Sequence, residues 1–497
     1  VPLKIPTAIF IIFSLTINHT CHMKKIVPLS ILLLFAIVAV SAQKTKKDVF
    51  NTLDAQYDEY STIAQQIWDW AEMGYLEEKS SALLQKTLKE AGFSIKTGVA
   101  NIPTAFIAEY GSGYPVIAIL GEFDALPGLS QQAVPEKKPA GGEAGHACGH
   151  HLFGTASAAA AIATKNWLST NKREGTIRFY GCPAEEGGGA KVYMSREGLF
   201  DDVDVALHWH PSSQNAASAA AALANISAKF RFKGVSAHAA GAPQMGRSAL
   251  DGVEAMNVMV NMMREHIPQE ARIHYVITDG GKAPNVVPDF AEVYYYARHN
   301  SRDVVRDIFN RIVKAGEGAA LGTGTTMEYE LVNGVHELLP NLTLQKLVHE
   351  NLSEIGGIEY TPEEKAFADK IAQSLGQEKA NVEMARSVQP YKEVARAYGS
   401  TDVGDVSFVT PTVGFGTATW VPGTPAHSWQ AVAAGGTTIG KKGMMVAAKT
   451  LTSTAIDLFS DPSIVKKAKQ EFEERRGPDF VYKPLLGDRP PALDYRK

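Results

Sequence analysis

The sequence predicts an α/β protein with a largely parallel sheet, interrupted by a smaller α+β unit. Two observations carry that prediction. Short apolar runs, "PVIAIL" (115–120), "TIRFYG" (176–181) and "DVALHW" (204–209), each end in a polar or Gly-rich loop, "GEFDALPG", "CPAEEGGG" and "HPSS". Helix-patterned stretches lie between them, and strand, loop and helix in repetition build parallel sheets. Around Ala221 the runs become alternating strands, and after about Gly334 the α/β pattern returns.

The chain is 497 residues long with a net charge of -4. That length exceeds one compact core and predicts two domains. The small charge argues against a nucleic-acid or membrane-surface partner. Residues 23–42, "MKKIVPLSILLLFAIVAVSA", carry two lysines, an apolar run and small residues before Gln43. This is the layout of a secretory signal peptide, so the expected location is periplasmic or extracellular, with no membrane span in the mature form. Residues 1–22 then resemble upstream sequence read from a start placed too early. Export leaves Cys148 and Cys182, which could pair in an oxidising compartment.

The first domain opens with a helical pattern over 49–93, in which Leu53, Tyr57, Tyr60, Ile63, Ile67 and Trp70 fall at three- and four-residue steps. "LFGTASAAAAIATKNWL" is a further helix candidate. In the inserted unit, "NISAKFRFKGVSAHAA", "RIHYVITDGG", "FAEVYYYARHN" and "TTMEYELVNG" alternate as strands, and 246–267 and 302–320 are patterned as helices. That order, strand-helix-strand-strand-helix-strand, predicts a ferredoxin-like unit over 222–334. The methionines of its first helix suit core or interface packing. The remaining stretches, 43–221 and 335–497, form the two parts of the first domain and a charged, Pro-containing tail.

Chemistry-bearing residues cluster on the strand-end loops, where ligands of such sheets bind. They are Cys148 and His150 in "ACGHH", Glu185 and Glu186 in "CPAEEGGG", His208 and His210 in "ALHWHP", and His427 in "GTPAHSW". A thiolate, imidazoles and carboxylates from distant segments suit a preformed catalytic site for zinc, manganese or cobalt. Adjacent glutamates leaving a strand point apart, so one can bind metal while the other faces substrate as a general base. Solvated acids opening a helix are the alternative. His146 is expected to be an ordinary polar loop residue, and His151 a surface residue or a support for a ligand.

These motifs, with "GVSAHAAGAPQMGRSALDGVEAMN", "APNVVPDFAEVYYYAR" and "GSTDVGDVSFVTPT", occur in the order seen in metallo-amidohydrolases. The chain resembles this family of aminoacylases, carboxypeptidase G-type enzymes and auxin-conjugate hydrolases, and is most similar to its aminobenzoyl-glutamate hydrolase branch. The resemblance spans the mature chain. It implies a zinc-peptidase-like catalytic domain with an inserted ferredoxin-like lid and dimerisation domain, and two divalent metal ions in each protomer. It carries metal binding to Cys148, His150, Glu186, His210 and His427, and the general-base role to Glu185. His238 matches an oxyanion-stabilising lid residue, often supplied by the partner protomer, and Asn285 and Arg298 match substrate-binding lid residues.

This sequence departs from the family pattern at Glu122, where some branches have a ligand histidine, at His151, usually Asp or Asn, and at Cys182, usually Thr. Cys148 takes the place of a bridging aspartate, as in other cysteine-type members. The implied activity is hydrolysis of N-acyl amino acids, dipeptides or aminobenzoyl-glutamate, by a homodimer or together with a second, homologous chain. An exported dipeptidase and a non-catalytic peptide-binding relative stand as alternatives, as does a disulfide-inactivated form.

Overall fold

A computed structural model describes residues 44–218, 222–393 and 399–496. The expected signal peptide and the 1–22 extension lie outside the described residues. The helical pattern of the first segment resolves into Lys46–Ala55, Tyr57–Trp70 and Glu78–Glu90. Thr45 caps the first of these with a reciprocal Asp48 contact.

The main sheet has six strands. Their order is Ser94–Thr97, Phe106–Ser112, Gly175–Gly181, Val116–Gly121, Val205–Leu207 and Thr412–Val413. The last four strands run parallel, and the first two are antiparallel additions at one edge. The continuous apolar run "VIAIL" reflects burial on both faces. Ile117 and Ile119 enter one core with Phe179, Leu84 and the helix His150–Asn171. Ala118 and Leu120 enter the other with Tyr180, Tyr193 and Phe200. The strand from the far C-terminal part, Thr412–Val413, pairs with Val205–Leu207, so one sheet draws on both sides of the insertion.

The insertion forms a second, antiparallel sheet in the order Arg272–Asp279, Phe290–His299, Ala224–Lys233, Thr326–Val335. Helices Ala249–Met263 and Arg302–Thr323 pack on it through Met256, Val260, Ile308 and Ile312 against Phe230 and Val293. This is the ferredoxin-like order expected from the sequence. Met256 and Met263 are buried, whereas Met259 and Met262 face outward. Among the described residues no helix is long and apolar enough to cross a membrane.

Phe179 is fully buried, stacks 5.5 Å from Phe106, and occupies the space that a side chain on Gly121 would need. Phe179→Ala is expected to cost about 3–5 kcal/mol, read as a lower denaturant midpoint for the native protein.

Candidate metal centre and cleft

The strand-end loops meet at the floor of a cleft of about 760 Å³ between the main sheet and the second sheet. Gly149 sets the local geometry. Its φ of 75° starts the helix His150–Asn171, and a Cβ there would lie 2.7 Å from the Pro211 ring. That close approach brings "CGH" against "WHP" and leaves Cys148 Sγ 3.4 Å from His210 Nε2. It is therefore His210, not His208, that meets the thiol. The His210 Nδ1 lies 2.7 Å from the Pro211 carbonyl, which directs Nε2 inward.

His150 is oriented in the same manner. Its Nδ1 bonds Asp124 Oδ1 at 2.8 Å, and the other Asp124 oxygen accepts the Glu186 backbone N–H at 2.9 Å. One buried carboxylate thus aligns a histidine and the paired-glutamate loop. Burial works to raise the Asp124 pKa, but the neighbouring His150 prevails and holds it below the ordinary value. Ala184, immediately before Glu185, has φ 54°, and its N–H donates to the buried Glu77 carboxyl at 2.8 Å. This turn sends Glu185 and Glu186 in different directions. His427 has φ 58°, a left-handed conformation, and its N–H donates to the Ala147 carbonyl at 2.9 Å. Its Nε2 stands 3.1 Å from Glu186 Oε1.

Three groups of ligand atoms lie within 4.8 Å of one another: Cys148, His150 and His210; Cys148, Glu186 and His427; and Glu122, His150 and Glu185. Cys148 belongs to the first two. The residues fit a cation on two counts. Glu122 Oε2, His150 Nε2 and Glu186 Oε1 are buried without an aligned hydrogen-bond partner among the described residues, although His150 Nε2 is only 3.2 Å from Glu122 Oε2 and His427 Nε2 only 3.1 Å from Glu186 Oε1. The site also carries unrelieved negative charge. Burial, then Glu122, Glu186 and Asp402, pushes the Glu185 carboxyl well above its usual range. Burial, then Glu186, does the same to the Cys148 thiol. A cation reverses both tendencies.

Lys191 supplies the fixed positive charge. It is fully buried, with Nζ 2.6 Å from Glu122 Oε1 and 2.7 Å from Asp402 Oδ1. Burial raises Asp402 to about 6, against the opposing pull of Lys191. This bridge fixes Glu122, the position that departs from the family pattern, and leaves its second oxygen facing His150.

Five expected ligands and Glu185 therefore converge, and Arg298 lines the same cleft with Tyr296, Asn225 and Ser400. His238 and Asn285 do not. Both lie on the lid away from the cleft, and their segments are joined by the Ala239 N–H donating to the Asn285 carbonyl at 3.0 Å. Other expectations are corrected. His146 is no ordinary loop residue; it is buried, bonded to the Ile67 carbonyl at 3.0 Å, and its pKa is lowered to about 4 by burial and His150. His151 is not on the surface; it is buried beside His146 and bonds the Gly435 carbonyl at 3.1 Å. Cys148 and Cys182 are both free; Cys182 is buried in the second core with its thiol on the Tyr180 carbonyl.

Lys191, Asp402 and Arg496 are site residues that sequence reasoning missed. Asp402 sits in the quoted "GSTDVGD" motif, so its acid was visible but not its partner. Lys191 follows the glutamate pair in an ordinary helix, and only burial distinguishes it.

Comparison with known proteins places these features in context. Residues 223–321 match the peptidase dimerisation domain model of the M20 group. The chain is 44% identical over 459 residues to one of the subunits of the p-aminobenzoyl-glutamate hydrolase of Escherichia coli K12, covering 87% of this chain and 95% of that one. It is 27% identical over 451 residues to the Xaa-Arg dipeptidase of Mus musculus, covering 88% and 94%. Its fold is similar to a dinuclear metal-binding M20 peptidase from Bacillus subtilis, with TM-score 0.56 and 18% identity over 82% of this chain and 99% of that one.

Removing Lys191 leaves two buried acids facing each other. Lys191→Met is expected to destabilise the protein by about 3–5 kcal/mol, measured by chemical unfolding. Adding Glu122→Gln and Asp402→Asn should restore part of that loss.

Proposed function

This chain belongs to the M20 family of metal-dependent peptidases and amidohydrolases, and from that premise we propose that it releases an amino acid from an N-acyl conjugate of the aminobenzoyl-glutamate type. The single observation that carries this reading is the cleft itself. A candidate ligand set that shares Cys148 lies beside the half-buried Glu185 carboxyl, and the Arg298 guanidinium lines the same cleft. A purely binding protein has no use for a spare carboxyl group placed beside a metal centre.

Cys148, His150, Glu186, His210 and His427 would hold two divalent ions, with zinc and manganese the best match to thiolate, imidazole and carboxylate donors and cobalt also compatible. Such ions acidify a water molecule and polarise an amide carbonyl. Glu185 takes the proton from the attacking water and delivers it to the departing amine nitrogen. Asp124 holds His150 in one orientation throughout, and Lys191 fixes Glu122 so that Glu185 remains the mobile proton carrier. Arg298 selects an amide whose amino-acid half bears a free carboxylate.

His238 and Asn285 lie too far out on the lid to line this cleft, and we assign their action to the cleft of a second copy. Val276 and Ile277 on the edge strand Arg272–Asp279, and Val258 and Met262 on the adjacent helix, are exposed apolar residues within the matched dimerisation segment. They support a homodimer formed through this edge. The signal-like segment before Gln43 supports export. The dipeptidase reading is favoured by the second relative and is decided by substrate choice.

Amine release tests the reading directly. The protein, chelated and then reloaded with manganese or zinc, should cleave aminobenzoyl-glutamate or N-acetyl amino acids; a preference for dipeptides would select the dipeptidase reading, and no cleavage with both ions bound would sink the hydrolase assignment. Glu185→Gln should retain bound metal and lose at least about 10³-fold in kcat, whereas Cys148→Ala should lose metal, counted by elemental analysis. Val276→Glu with Met262→Glu should yield monomers in sedimentation and lower activity in step with dissociation, because His238 would no longer reach a second cleft.

A further inference from the structure

The C-terminal tail returns to the cleft, and it does so along a built path. Tyr482 donates to Asp405 at 2.8 Å, His336 meets the Lys483 carbonyl, and Arg196 holds the carbonyls of Gly487 and Arg489. Arg489 in turn donates to the Val332 carbonyl on the second sheet. Tyr495 then packs edge-on against Tyr75 at 5.6 Å, over Gly74, where any side chain would collide with its hydroxyl. The path ends with Arg496 in the cleft wall.

Arg496 donates through Nη2 to the Glu186 carbonyl at 2.7 Å and lies over the Tyr495 ring. Its Nε is buried without a partner among the described residues, and so is the Nε of Arg298. Arg298 lies over Tyr296, with one long contact of 3.5 Å to Ser400. Tyr296, beneath Arg298, accepts from Tyr294 at 3.1 Å, and Arg298, Tyr296 and Arg496 line the same cleft. Neither guanidinium forms an ion pair with a side chain among the described residues, unlike Arg178, Arg231 and Arg302, which do.

Two guanidiniums lining one cleft, each with an unpartnered buried Nε, call for two anionic groups. We infer that Arg496 and Arg298 form a paired subsite for a dicarboxylate amino-acid half, with Arg298 holding one carboxylate and Arg496 the other. The class of substrate is an N-acylated acidic amino acid, and a basic C-terminal residue is disfavoured by like charge. Arg496 is thus a specificity-determining residue supplied from the far end of the chain. The inference rests on the amidohydrolase reading for the scissile bond, though not for the binding itself. The competing role for Arg496 is a staple that seats the tail on the Glu186 loop.

Binding separates the two roles without turnover. N-acetyl-glutamate and N-acetyl-glutamine are titrated into metal-loaded Glu185→Gln protein, with and without Arg496→Gln or Arg298→Gln, and followed by calorimetry. The parent should prefer the dicarboxylate at least about 10-fold. Arg496→Gln should erase that preference while leaving N-acetyl-glutamine binding within about threefold, and Arg298→Gln should weaken both ligands. A staple would weaken both ligands together on Arg496→Gln. That result, a preference that survives Arg496→Gln, or a parent that binds neither ligand or both equally, overturns the inference. Hydrolysis by the unsubstituted enzyme is scored separately: an Arg496-dependent preference without cleavage of any amide removes the proposed function and leaves the subsite standing.

Discussion

The constraint on which the rest of this structure depends is the gathering of buried and half-buried acids at the carboxyl ends of the parallel strands. Glu122, Asp124, Glu185, Glu186 and Asp402 approach one another in an interior where ionised carboxylates are costly. Lys191 relieves Glu122 and Asp402, and His150 relieves Asp124. What remains is centred on Glu185, Glu186 and the Cys148 thiol. That residual demand for positive charge is the electrostatic statement of a metal site.

The scaffold meets the demand by distributing functions among elements. The sheet supplies rigid strand ends, the helix beginning at His150 carries a candidate ligand in its first turn with Cys148 just before it, and left-handed residues at Ala184, Gly149 and His427 turn the loops inward. Conformations of this kind persist where surrounding contacts over-determine them. Here the contacts are the Glu77 carboxyl at Ala184, the Pro211 ring at Gly149 and the Ala147 carbonyl at His427. The guanidiniums, tyrosine and asparagines that also line the cleft belong to the second sheet and the tail, so the cleft is lined from separate parts of the chain.

Much of this is legible in the residue order alone. Paired glutamates after an apolar run and "WHP" after another announce strand-end chemistry, and the alternating runs after Ala221 announce the second sheet. His146 and His151 are misjudged because a histidine in a Gly-rich loop is indistinguishable by type from a solvated one; only packing against Ile67 and Gly435 buries them. Lys191 and Arg496 escape notice for a related reason. Each lies in a segment of ordinary polarity, and each matters through partners distant in sequence, at Glu122 and Glu186.

The sequence by itself determined the residue types available for catalysis, the alternation that makes two sheets, and the loops on which ligands sit, because these follow from local periodicity and from the spacing of side chains along one segment. Tertiary structure decided which histidine of "HWH" meets Cys148, that the two cysteines stay apart, and that a tail arginine enters the cleft. Those outcomes depend on desolvation and on contact between distant segments, and neither quantity exists until the chain has closed on itself.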